Sequence, residues 1–196
     1  PTRRSSDLPD FLYEEEVENI LRGIKIDTPA GYRNRIILEL LWVSGMRISE
    51  LSGLNYENLN LEQNEIRVFG KGAKERILQI GNDQVHEALI NYKTEYATEI
   101  DQCDRFFVNQ KSRPFSDQSV RRMLNYYTNL SEIDLHITPH MWRHTFATSL
   151  LEADVDIRYI QEMLGHSDIG TTMNWYAHGT KDTKRSSVKM LDQLTG

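Results

Sequence analysis

Six side chains suited to handling an anion are strung along the 196 residues: Arg47, Lys71, His140, Arg143, His166 and Tyr176. The densest stretch is Thr138-Pro139-His140-Met141-Trp142-Arg143-His144-Thr145-Phe146-Ala147-Thr148. Thr138 has an N-cap hydroxyl, and Pro139 suits a first helical turn, where its missing N–H would be unpaired anyway. His140 and Arg143 are three apart, so both leave one face of that helix near its N-terminus. Unpaired N–H groups and a partial positive charge gather there. An imidazole and a guanidinium aimed from such an end suit a phosphate oxyanion.

The other candidates have local logic of their own. Ser44-Gly45-Met46 breaks one helix, and Arg47-Ile48-Ser49-Glu50-Leu51 begins a short one. Arg47 and Glu50 share a face, so a carboxylate can hold the guanidinium and present it. Ile48 and Leu51 share another face and should anchor the turn. Gly70-Lys71-Gly72-Ala73-Lys74 reads as the basic tip of a hairpin between strand-like runs at Glu65–Phe69 and Arg76–Ile80. His166 follows a helix stop at Gly165, and Tyr176 comes ten residues later. Taken singly, a hairpin-tip lysine or a surface ion pair is most simply a solvated group.

The elements that must position these groups are mostly helical. Glu14–Ile24 has an apolar stripe of Val17, Ile20, Leu21 and Ile24 behind an acidic start. Thr28-Pro29 opens a second helix running to about Val43, dense enough in apolar residues to be buried. Further helices are expected over Asn82–Thr98, Ser116–Tyr127, Pro139–Leu151, from Asp156 to Gly165, and over Asp182–Leu194. Arg105–Val108 is a strand candidate. The fold class expected is α+β, mostly helical, with a small antiparallel sheet near residues 59–80.

Composition sets the bounds. The length suits one domain or slightly more, and 39% hydrophobic with 27% charged residues is ordinary for a globular chain. The single cysteine, Cys103, excludes an internal disulfide framework and points to a reducing compartment, the cytoplasm. No run approaches the roughly 20 apolar residues of a membrane span, and the N-terminus has no apolar stretch of a signal peptide. The formal net charge of −6 argues mildly against a nucleic-acid partner. Acidic residues bunch, however, at Asp10–Glu18, Glu95–Asp104 and Glu152–Asp156, and a local basic face is what binds phosphate.

Four segments in order, SGMRISEL, FGKGAKER, TPHMWRHTFAT and LGHSDIGTT followed by Tyr176, resemble the catalytic domain of the tyrosine recombinases, the phage-integrase and Xer group. The resemblance spans about residues 10–180. It implies a catalytic fold packing a small antiparallel sheet on a helical bundle, with residues 1–9 as a tail and 181–196 as a C-terminal helix of the kind that packs in place or is exchanged between protomers. It also implies a missing N-terminal core-binding domain. Arg47 and Arg143 would then grip the non-bridging oxygens of a DNA phosphodiester, with His140 and His166 adding donors. Lys71 would protonate the leaving 5′ oxygen. Tyr176 would attack phosphorus and form a 3′-phosphotyrosine. Glu50 matches an accessory acidic residue three after the first arginine.

Much of the family spaces its second histidine and tyrosine by nine residues, and some integrases of mobile elements by ten, as here. Lys74, Arg76, Arg121 and Arg122 are candidates for contact with the DNA. No metal or cofactor is implied, since the cations are side chains and the histidines lack a zinc spacing. The implied partners are double-stranded DNA and, on paired sites, three further copies of the chain, with a monomer in isolation. A bacterial, nucleoid-associated cytoplasmic protein is implied, with no membrane partner. A type IB topoisomerase, a non-catalytic DNA-binding module of the same fold and a helical interaction protein are the alternatives.

Overall fold

The computed structural model describes residues 11–70, 75–133 and 135–165. The hairpin tip with Lys71 and Lys74, the segment with His166 and Tyr176, the N-terminal tail and the helix expected over Asp182–Leu194 lie outside the described residues.

Helix α2, Pro29–Ser44, is the centre of the fold. Thr28 caps it by accepting from the Gly31 N–H at 3.1 Å, and Pro29 takes the first helical position. Ile36, Ile37, Leu38, Leu40 and Leu41 are all buried, so the helix is apolar on most of its circumference and packs on several sides. Around it lie α1 (Glu14–Arg22), α3 (Ile48–Ser52), α4 (Asp83–Glu95) and α7 (Pro139–Glu152). α1 buries the expected Val17, Ile20 and Leu21 and starts with three glutamates. Asn82, Ser116 and Asp156 cap α4, α6 (Asp117–Leu130) and α8 (Ile157–Leu164) through their side chains.

The sheet has three antiparallel strands in the order β1 (Leu59–Asn60), β2 (Glu65–Phe69) and β3 (Glu75–Gln79). Ile66 pairs with Leu78 and Val68 with Arg76. Alternation therefore turns Ile66, Val68, Arg76 and Leu78 to one face. That face covers the core, because Ile66, Val68 and Leu78 are buried while Glu65, Arg67 and Phe69 lie on the other side.

Two expectations need correction. The helix from Asn82 does not run unbroken to Thr98: it stops at Glu95, turns at Tyr96, and restarts as α5, Ala97–Cys103. The turn contains no glycine or proline, and Tyr92 and Tyr96 stack across it at 4.5 Å between ring centroids. Arg105–Val108 is not a strand. It makes one isolated bridge, Val108 to Pro114, and the Phe106 N–H donates to the Leu54 carbonyl. Its apolar residues serve as core anchors: Phe106 and Phe107 pack edge-to-face and both lie close to Tyr92.

A second, smaller core joins α7 to α8 through Phe146, Ala147, Ile160 and Leu164. α8 also packs against β3. No helix among the described residues is long and apolar enough to cross a membrane.

Candidate active site

The site forms where α2 ends, α3 begins and α8 ends. Gly45 terminates α2 with a left-handed backbone, φ +58°, and its N–H returns to the Leu41 carbonyl. A side chain is excluded there: a Cβ would stand 2.2 Å from Cδ1 of Phe146. The turn leaves Arg47 at the N-cap of α3 and Glu50 at the third helical position. Glu50 Oε2 accepts from the Arg47 backbone N–H at 2.7 Å, and Oε1 from Arg47 Nη1 at 2.9 Å. Ile48 and Leu51 are buried, as their spacing requires.

Arg143 comes from α7. Thr138 Oγ1 accepts from the Met141 N–H, and Pro139 opens the helix. The Trp142 indole donates to the Leu38 carbonyl at 3.2 Å, which fixes the rotation of α7 against α2. That rotation sends Arg143 inward. It is 4% exposed, and its guanidinium donates to the Gly45 and Leu164 carbonyls. Burial, followed by the nearby charge of Arg47, brings its pKa down from the usual guanidinium range to about 9, with Glu50 opposing and Arg76 assisting. It remains a cation at neutral pH. His140, one turn earlier on α7, is exposed.

The end of α8 ties the cluster together. Arg76 Nε donates to the Met163 carbonyl at 2.8 Å, Arg143 Nη2 to that of Leu164, and Arg47 Nη2 to that of Gly165 at 3.4 Å. Consecutive carbonyls thus go to arginines from β3, α7 and the α2–α3 turn. These oxygens lack helical partners and sit at the negative end of the helix dipole, which attracts cations. Arg47 and Arg143, 96 positions apart in the sequence (143 − 47), are therefore neighbours.

Glu50 is the only carboxylate bonded to these arginines among the described residues. Arg76 grips it with both terminal nitrogens, Nη1 to Oε1 at 2.7 Å and Nη2 to Oε2 at 2.8 Å. Burial alone would push the Glu50 carboxyl up. Its bonds to Arg76 and Arg47 outweigh that and hold it below the usual carboxylate value.

Arg76, a candidate for contact with DNA in the sequence, turns inward in the structure. Its side chain is only 11% exposed and is committed to Glu50 and Met163. The signal was present in the strand: Arg76 is in phase with Leu78 and Ile80, both buried. Arg121 and Arg122 are exposed on α6, whose start is joined to α3 by Ser52 Oγ donating to Asp117 Oδ1 at 2.5 Å. His144 packs edge-on against Phe11. No group of three or more potential metal ligands occurs among the described residues.

The model of the phage integrase family matches residues 10–183. A tyrosine recombinase of Agathobacter rectalis is 62% identical over 140 residues, covering 71% of this chain and 46% of the relative. Tyrosine recombinase XerC of Bacillus pumilus is 41% identical over 186 residues, covering 92% and 60%. The chain thus spans about half to three-fifths of these relatives. The XerH site-specific recombinase bound to difH substrate, in a pre-cleavage complex, superimposes with a TM-score of 0.76 at 26% identity, covering 89% of this chain and 52% of that one. The chain belongs to the phage integrase family and carries the catalytic fold of its tyrosine recombinases.

Proposed function

We propose that the chain is the catalytic part of a site-specific recombinase that cuts and rejoins duplex DNA through a 3′-phosphotyrosine intermediate. One observation carries this reading: Arg47 and Arg143, from separate elements, are held side by side on the adjacent carbonyls of Leu164 and Gly165. Two fixed guanidiniums match the two non-bridging oxygens of a phosphodiester, and their charge falls where negative charge grows in the five-coordinate transition state. His140 and His166 add donors and manage the proton of the nucleophile.

In the cleavage step the Tyr176 Oη–P bond forms and the P–O5′ bond breaks. The phenol loses its proton, and Lys71 gives one to the departing 5′ oxygen. General acid help of roughly 10²–10⁴-fold is the range for such a step. Reversal by a 5′ hydroxyl rejoins the strand, so no ATP is consumed and no metal is required. Glu50 orients the arginines. Arg121, Arg122 and Lys74 meet the backbone of the duplex, and four copies act together on paired sites.

A nicked substrate that loses the strand end after cleavage tests the reading. The full-length protein, on its own site, should accumulate a covalent protein–DNA adduct, and Tyr176→Phe should abolish it. Binding without any adduct would favour a non-catalytic module. Site-independent relaxation of a supercoiled plasmid by a monomer would favour a topoisomerase.

A further inference from the structure

We propose that Arg76 is a positioning residue: it takes up most of the Glu50 carboxylate so that Arg47, which gives Glu50 a single side-chain nitrogen, keeps the rest of its guanidinium for the phosphate alongside Arg143. The proposal rests on the reading that Arg47 and Arg143 bind the phosphodiester.

Three guanidiniums and one carboxylate share the cluster. Each Glu50 oxygen accepts twice. Oε1 takes Arg47 Nη1 at 2.9 Å and Arg76 Nη1 at 2.7 Å; Oε2 takes the Arg47 backbone N–H at 2.7 Å and Arg76 Nη2 at 2.8 Å. Arg76 therefore holds the carboxylate with a full fork, whereas Arg47 spends one side-chain nitrogen on it. A planar guanidinium is the group that can do this at a carboxylate.

Arg76 is itself fixed and screened from DNA. Its backbone sits on the core face of β3 opposite Val68, and its Nε is on the Met163 carbonyl. Gly165, with φ +61°, lies so near that a Cβ there would be 3.1 Å from Arg76 Nη1. Arg47 differs, with a side chain 35% exposed and therefore able to shift. If Arg76 is made neutral, Glu50 keeps its charge in a buried place. Among the described residues, the cations left facing it are Arg47 from the α2–α3 turn and Arg143 from α7. Arg143 is committed to two carbonyls, so Arg47 swings further onto Glu50 and leaves the phosphate.

Sulfate is the probe, because it stays doubly charged throughout the pH range needed. Binding is read from the guanidinium Nε–H resonances of Arg47 and Arg143 in the isotopically labelled 196-residue chain, assigned by single Arg→Lys exchanges. Arg76→Met should weaken sulfate binding at Arg47 roughly tenfold, the scale of one charge-assisted hydrogen bond. Glu50→Gln added to Arg76→Met should recover most of that loss, because no carboxylate then competes for Arg47. Arg76→Met alone should also regain affinity from about pH 8 to about pH 5, as the buried Glu50 takes up a proton in the absence of its main partner. The wild type, with Glu50 ionised throughout, should lack this added dependence.

Arg76→Lys separates charge from packing. It should retain most of the affinity, and it replaces the Met variant if that one fails to fold. Sulfate binding unchanged in Arg76→Met, or a loss that neither Glu50→Gln nor acid restores, overturns the proposal and leaves Arg76 a packing brace. No sulfate response at Arg47 and Arg143 of the wild type overturns the phosphate-binding reading itself, and this proposal falls with it.

Discussion

Replacing Gly45 by alanine adds one methyl group where the end of α2, Arg143 and Phe146 meet. Two costs arise. An L-residue in the left-handed region costs roughly 1–2 kcal/mol, and Gly45 has φ +58°. The new Cβ would also stand 2.2 Å from Cδ1 and 2.6 Å from Cε1 of Phe146, so the ring must move. Phe146 is 6% exposed in the core that seats α8, and forcing space in a packed core costs about 1–3 kcal/mol. Together these give a destabilisation of about 2–5 kcal/mol. For a chain of this size that lowers Tm by roughly 5–15 °C.

Activity should fall further than stability, because the Gly45 carbonyl accepts from Arg143 and Arg47 is two residues on. The assay pairs thermal melts with adduct formation measured well below the melting temperature of the variant. A variant that melts within about 2 °C of the wild type would refute the steric reasoning. A destabilised variant with normal adduct formation would refute the link from this turn to the arginines.

Glu50→Gln should lower stability by about 3 kcal/mol at neutral pH, because Arg76 and Arg47 lose their shared counter-charge. The folded state holds the Glu50 carboxyl below its ordinary value of 4.5, so its contribution is present above that value and is lost as the pH falls through the lower, folded one. Denaturant melts at stepped pH should show the gap between wild type and Glu50→Gln closing under acid; a gap that widens contradicts the assignment. Ile160→Ala empties a fully buried position between α7 and α8 and should cost about 2–4 kcal/mol. It should also reduce adduct formation by loosening the carbonyls that seat the arginines, whereas Val120→Ala on α6, equally buried, should not. Equal adduct yields from the two variants, corrected for folded fraction, would remove α8 from the account.

Much of this arrangement is legible in the residues, for identifiable reasons. Helix starts carry their own chemistry: Thr28-Pro29, Asn82, Ser116, Thr138-Pro139 and Asp156 all cap where their side chains say they should. Gly45 and Gly165 mark ends that need a left-handed residue. What stayed hidden depends on partners distant in sequence. The stop at Tyr96 has no glycine or proline to announce it. Phe106 and Phe107 look like strand residues, but among the described residues their segment makes a single bridge, Val108 to Pro114, and they serve as core anchors. The ties of Arg76 to Glu50 and to the Met163 carbonyl likewise join β3 to segments distant in sequence. The seating of the arginines on the α8 carbonyls cannot be seen in any single segment, since it takes α7, β3 and α8 together.

The most direct measurement identifies the atom that joins protein to DNA. Adduct trapped on a nicked substrate is digested with protease, and the DNA-linked peptide is sequenced by mass spectrometry. A single linked residue is expected, Tyr176, bonded to a 3′ phosphate, with yield lost in Arg143→Ala. Linkage through another side chain, or to a 5′ phosphate, would contradict it.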